Sequence, residues 1–148
     1  MWVVMKGYNR CYDIQQEAAS GDITLLPQKT NLIYQTSLIY CFNDEQSLYY
    51  IDKEFNFYAF HIPTQKNEFI ANLGKEIQER GKISSIVHYH NSYFVGFLMD
   101  GILLLEKQKE TDHYQIQSLP INSGVFCLKK DRFQDVVWIG TDLSLIHI

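Results

Sequence analysis

Val137-Trp138-Ile139-Gly140-Thr141-Asp142 is the stretch whose reading decides the fold, because degenerate copies of it recur upstream. Trp2-Val3-Val4, Tyr49-Tyr50-Ile51 and Phe94-Val95-Gly96 stand at equivalent places, so successive first residues lie 47, 45 and 44 positions apart. Around each copy the same order of segments returns. An apolar segment precedes it in three units: Leu38-Ile39-Tyr40-Cys41, Ile83-Ser84-Ser85-Ile86 and Val125-Phe126-Cys127-Leu128. Each then runs through a polar stretch (Asn43-Asp44-Glu45-Gln46, His90-Asn91-Ser92, or Lys130-Asp131-Arg132-Phe133-Gln134-Asp135) of the kind that reverses a chain between strands.

After the aromatic strand comes a third apolar run, Phe57 to Ile62 in one unit and Ile102 to Leu105 in the next, with Gly7 to Asp13 as the counterpart after Trp2. Asp100-Gly101 and Gly7 supply the positive φ that a tight hairpin needs, and Asn56 is expected in that role in the middle unit. A fourth, more polar segment closes each unit: residues 22–27, 68–73 and 113–120, clearest in the alternation of Tyr114, Ile116 and Ser118 with Gln115 and Gln117. Leu26-Pro27 and Leu119-Pro120 put proline at the end of this segment, where a missing donor costs little at a sheet edge. The stretch 72–81, with charges at helical spacing but glycine near both ends, reads as a long surface loop or a single helical turn.

A repeat of about 45 residues built from four strands of falling hydrophobicity is the pattern of β-propeller blades. The expected fold is all-β: residues 1–142 form a partial propeller of about three four-stranded antiparallel blades, with units beginning near 2, 49, 94 and 138. Closed propellers typically need four to eight blades, so the chain is expected to be a fragment of a longer one. Residues 143–148, Leu-Ser-Leu-Ile-His-Ile, stand where a glycine-rich turn is expected; they look adapter-derived and are taken as a non-native tail.

The bulk composition narrows the function classes. With 148 residues, 46% of them hydrophobic, the chain has ample material for a core. A net charge of -4, with basic and acidic groups scattered, gives no surface for a row of phosphates, so nucleic acid is not expected as a partner. The basic cluster Lys129-Lys130-Asp131-Arg132 reads as a solvated turn. No run is long and apolar enough for a membrane span, and residues 1–7 lack the basic start and apolar core of a signal peptide. Cys11, Cys41 and Cys127 show no ligand spacing and are expected as buried free thiols.

Candidate chemistry is sparse. His88 and His90, two apart on a strand, would share a face and invite a metal, but no third ligand lies at a useful spacing; they, like His61 and His113, read as ordinary strand or strand-end histidines. Asp100, Glu106, Glu110 and Asp112 could be searched for a glycosidase pair, yet read by default as acidic turn residues. Ser84-Ser85 lacks nucleophile-elbow glycines. Gly140-Thr141 most simply ends a strand, the glycine allowing close packing against the next unit. No catalytic, cofactor or metal residue is assigned, and no cofactor is expected.

The string Val137-Trp138-Ile139-Gly140-Thr141-Asp142, preceded by Val125 to Leu128 and an aspartate-containing turn, resembles the two-component regulator propeller repeat. Residues 2–13, Trp-Val-Val-Met-Lys-Gly-Tyr-Asn-Arg-Cys-Tyr-Asp, look like the same element with its Gly-Thr replaced, whereas Tyr49-Tyr50-Ile51-Asp52 lacks the glycine. The resemblance implies the periplasmic sensor region of a membrane-spanning, dimeric hybrid histidine kinase of Bacteroides-like bacteria. It further implies an oligosaccharide ligand and the remaining blades of the parent propeller as partners. The alternatives are a propeller lyase or hydrolase and a structural interaction scaffold.

Overall fold

Every strand of the repeat falls where the segment order places one. The computed structural model describes residues 38–148 apart from 110 and 112, and the backbone of 2–5, 8–16 and 23–28. Among the described residues the strands are β1 (Trp2–Met5), β2 (Tyr8–Gln16), β3 (Ile23–Gln28), β4 (Leu38–Asn43), β5 (Ser47–Asp52), β6 (Asn56–His61) and β7 (Lys66–Asn72). After the helix α1 (Gly74–Arg80) come β8 (Ile83–Tyr89), β9 (Ser92–Phe97), β10 (Ile102–Lys107), β11 (Tyr114–Ser118), β12 (Val125–Lys130), β13 (Val137–Thr141) and β14 (Leu145–His147).

Sequence neighbours pair in order within four sheets: β1-β2-β3, β4-β5-β6-β7, β8-β9-β10-β11 and β12-β13-β14. Among the described residues the chain is therefore all-β and antiparallel, with one short helix. Registers repeat along with the sequence. A β-bulge lies between Leu38 and Tyr40, between Ile83 and Ser85, and between Val125 and Cys127. Beyond it, Tyr40 faces Ile51, Ser85 faces Gly96 and Cys127 faces Gly140. The extra residue sharpens the local twist of each first strand at one recurring point.

The chain divides into two compact units, residues 1–53 with 58–68, and residues 54–57 with 69–148. In the first, Leu48, Tyr50 and Phe60 form an apolar cluster, with Leu38, Cys41, Tyr58 and Ile62 packed against it. Tyr50 and Tyr58 stack at 5.1 Å, and Asn67 Nδ2 donates to the Tyr50 hydroxyl at 2.8 Å. Burial pushes the Tyr50 phenol up to about 12 although the Asn67 donor pulls it the other way.

In the second unit, Phe94 and Ile102 of one sheet meet Val125, Leu128, Val137 and Ile139 of the next, with Val87, Tyr89, Leu104, Leu119 and Ile121 at the margin. β13 supplies Val137 and Ile139 from alternate positions and β12 supplies Val125 and Leu128 from either side of its bulge, while Cys127 and Lys129 on the other face of β12 are exposed. Gly96 makes that approach possible. A Cβ there would lie 2.8 Å from Val125 Cγ1, a separation that real side chains do not tolerate. At Gly140 the crowding comes instead from Cys127 Sγ, at 2.7 Å, within the same sheet; the close packing expected of Gly140 against a neighbouring unit is carried by Gly96.

Three expectations need correction. The stretch 72–81 holds a seven-residue helix, longer than a single turn. No helix residue is buried, so its ends hold it: Leu73 is fully buried and donates to the Phe55 carbonyl, and Arg80 donates to the Asp100 carbonyl and carboxylate and to Ser118 Oγ. Positive φ falls on Phe55, at 65°, not on Asn56. Asn56 already begins β6, where its side-chain oxygen accepts a hydrogen bond from Asn72 Nδ2 at 2.9 Å, so the turn places its left-handed residue one step earlier. Gly101 takes positive φ as expected, while Gly7 lies outside the described residues. Finally, Cys41 is half-buried and Cys127 is exposed; both are free, and the side chain of Cys11 lies outside the described residues.

Of the two prolines expected at sheet edges, Pro27 sits within the edge strand β3, opposite Tyr12. Pro120 follows Leu119, whose N–H makes the last bond to the Ile102 carbonyl. Within residues 143–148, β14 pairs with Trp138, Ile139 and Gly140 of β13 and is exposed throughout.

Candidate functional site

The most distinctive polar geometry sits at the turns joining the first two strands of each repeat. Asp44 follows β4, and its Oδ1 accepts the backbone N–H groups of Gln46 at 2.8 Å and Ser47 at 2.7 Å, while Oδ2 accepts the Tyr49 hydroxyl. Asp131 follows β12 and does the same. Its Oδ1 accepts from Phe133 at 2.7 Å and Gln134 at 2.8 Å, and its Oδ2 accepts the Trp138 indole N–H at 2.7 Å. One carboxylate thus closes a turn and fixes the aromatic ring of the following strand. A short acidic side chain suits the task because both oxygens reach back over their own turn.

Tyr49, Phe94 and Trp138 are equivalent by register, and the residue matching Asp44 and Asp131 is Tyr89. Here the carboxylate pairing gives way to ring packing, since Tyr89 and Phe94 contact edge to face at 6.3 Å. The Tyr89 hydroxyl turns to the neighbouring turn instead, donating to the Asp135 carbonyl at 2.6 Å. Partial desolvation, then Asp135, hold that phenol above the ordinary tyrosine range. His90, in the left-handed region at φ 52°, lies 3.2 Å through Nε2 from the Asp135 carboxylate, and Lys130 Nζ sits 5.5 Å over the Tyr89 ring.

Phe133 crowns this surface at 96% exposure, the most exposed large apolar side chain among the described residues. Its backbone is fixed by Asp131, so the ring is displayed from an ordered turn. Exposed Arg132, Gln134 and Asp135 flank it. The expectation of a solvated turn at 129–132 missed this aromatic. The available signal was the Asp131-Arg132-Phe133 order, an aspartate two residues ahead of a ring in an otherwise polar turn.

The three carboxylate bonds hold Asp131 below its ordinary range, chiefly through Trp138. A depressed folded-state pKa makes this contribution fully present above the usual carboxylate range and lost as pH falls through the folded value. Asp131→Ala is accordingly expected to lower the melting temperature at neutral pH, with the gap to wild type narrowing in acid. Thermal melts followed by Trp fluorescence from pH 7 to below 3 check this; a gap independent of pH would mean that the carboxylate charge is immaterial.

The other candidates do not converge. His88 packs against Tyr93 at 4.7 Å while His90 faces Asp135, so the two do not form a common site. His61 bonds Thr64 Oγ1 at 2.8 Å, and His113 is exposed beyond β10. Asp100 pairs with Arg80 at 3.2 Å and Glu106 is exposed on β10; Glu110 and Asp112 lie outside the described residues. Burial pushes the Cys41 thiol up to about 11, which removes thiolate at neutral pH. Among the described residues, no three His, Cys, Asp or Glu side chains cluster as metal ligands, and no helix is long and apolar enough to cross a membrane.

No protein-family model matches the chain, and no curated protein matches it in sequence.

Proposed function

We propose that the chain is part of the extracytoplasmic, ligand-sensing propeller of a two-component regulator, responding to glycan-derived oligosaccharides and itself non-enzymatic. The observation that supports the propeller reading is the recurrence of one bulge and one register in three successive sheets. Supporting the ligand class is Phe133, a flat apolar ring held on an ordered turn among groups able to bond hydroxyls, as a sugar face requires. In this reading the parent is a dimeric, membrane-spanning periplasmic sensor, and oligosaccharide biases it by binding one arrangement more tightly than another.

Calorimetric titration of the complete propeller with a panel of oligosaccharides tests the reading. Binding of at least one, weakened about tenfold by Phe133→Ala, is the expected result. Absence of heat with every oligosaccharide would sink it and favour a structural interaction scaffold.

A further inference from the structure

We propose that Tyr89 is a positioning residue for Phe133: in giving up the aspartate that closes its own hairpin, the β8–β9 turn gains a hydroxyl that holds the turn displaying the ring. The role rests on the sugar-binding reading of Phe133 above and adds what orders that seat. Asn43 faces Leu48, His88 faces Tyr93 and Lys130 faces Val137 in the three hairpins that join first to second strands. Four residues therefore lie between the partners in the first two hairpins, and six in the third. The two extra residues make room for the displayed ring. Of these three turns, the longer one is thus the neighbour of the one that lacks an aspartate.

In the four-residue Asp44 turn, one carboxylate takes the N–H groups of Gln46 and Ser47 and so orders the chain up to the first residue of β5. Asp131 reaches less far into its longer turn. It takes the N–H groups of Phe133 and Gln134, and its own N–H donates to the Val136 carbonyl at 3.0 Å. Asp135 is held from the neighbouring turn, where Tyr89 donates to its carbonyl at 2.6 Å and His90 Nε2 lies 3.2 Å from its carboxylate. The Tyr89 ring is itself fixed, edge to face against Phe94 and beneath Lys130 Nζ, so its hydroxyl is presented from a set position. His90 takes φ 52° in making its contact, whereas no residue of either aspartate-closed turn has positive φ. Such a conformation costs free energy and persists where surrounding contacts over-determine it. Both residues of the β8–β9 turn thus act on the one residue of the display turn that Asp131 does not reach.

Tyr89→Phe removes the hydroxyl and keeps the ring. In the 148-residue chain, amide hydrogen exchange at Asp131, Phe133 and Gln134 is expected to quicken about fivefold, while Gln46 and Ser47 of the Asp44 turn and Ile139 of β13 keep their rates. Unchanged rates at Phe133 and Gln134 overturn the proposal. Acceleration spread evenly to Ile139 also overturns it, since the hydroxyl would then merely support the fold. His90→Gly gives an independent reading, because glycine relieves the left-handed cost: the melting temperature should hold or rise while the turn amides still quicken about twofold. Turn amides that slow as the melting temperature rises would show that the contact from outside does not order the turn. In the complete propeller, Tyr89→Phe should weaken the tightest binder of the oligosaccharide panel about fivefold with Phe133 in place. Full affinity in a protein whose turn amides have quickened overturns the positioning role. Exchange needs no ligand, so failure of the sugar reading is separately visible as absence of binding by the unaltered propeller.

Discussion

Gly101→Ala is expected to destabilise the protein by about 3 kcal/mol, the sum of a left-handed backbone and a backbone collision. Gly101 has φ +61°, and a Cβ there would run into the Ile121 carbonyl oxygen. No side-chain rotation relieves that overlap. The residue is pinned from both sides, because the Phe97 N–H donates to the Gly101 carbonyl and the Gly101 N–H donates to the Ser123 carbonyl, each at 3.0 Å. Gly124, whose Cβ would meet the Leu98 carbonyl, presses the same two segments together from the other side. Gly81→Ala shows what backbone conformation alone costs. Gly81 has positive φ, at +86°, with ψ -140°, and nothing lies within 4 Å of its Cβ position, so a conformational cost of about 1 to 3 kcal/mol remains without a collision. Urea unfolding of both variants measures the two losses. A Gly101→Ala loss of no more than about 1 kcal/mol, within what a left-handed backbone alone costs, would mean that the segment through Ile121 does not press on this turn.

The strands were legible because each repeats a hydrophobic arrangement at nearly fixed spacing, and a blade-like sheet of four strands reuses one register. Trp138, Phe94 and Tyr49 could be aligned from sequence alone, and the bulge partners Gly140, Gly96 and Ile51 follow two residues on. What stayed hidden depends on contacts across long separations. The turn with positive φ at Phe55 is tied to a distant segment, Asn72 Nδ2 donating both to the Glu54 carbonyl and to the Asn56 side chain, a contact that no local propensity encodes. The helix at Gly74–Arg80 has no apolar stripe and is held by Leu73 and Arg80 at its ends, so periodicity could not find it. Cys127 looks like core in an apolar run, yet its exposure is decided by the absence of a sheet against its face among the described residues. Phe133 failed in the opposite direction. A ring in a polar turn was absorbed into the turn, and only the hydrogen bonds from Asp131 show that the turn displays it.

Ile139→Ala should cost about 3 kcal/mol, while Phe126→Ala should fall within about 0.5 kcal/mol of wild type, although phenylalanine is the larger side chain. Ile139 has no exposed surface and closes the seam between β13 and the β9–β10 pair; Phe126 lies at the bulge on the uncovered side. Truncating Ile139 leaves a hole that Phe94, Ile102 and Val137 can fill only by moving two sheets closer, whereas truncating Phe126 leaves no hole. The seam also sets the distance between the turns that follow β8 and β12, across which Tyr89 reaches the Asp135 carbonyl. In the proposed sensor, loosening it should therefore weaken oligosaccharide binding at Phe133 even under conditions where Ile139→Ala remains folded. Chemical unfolding together with calorimetry on the same two variants checks both links. Equal stability of the two variants would show that the apolar seam is not what binds the sheets, and the turn surface would then need another source of order.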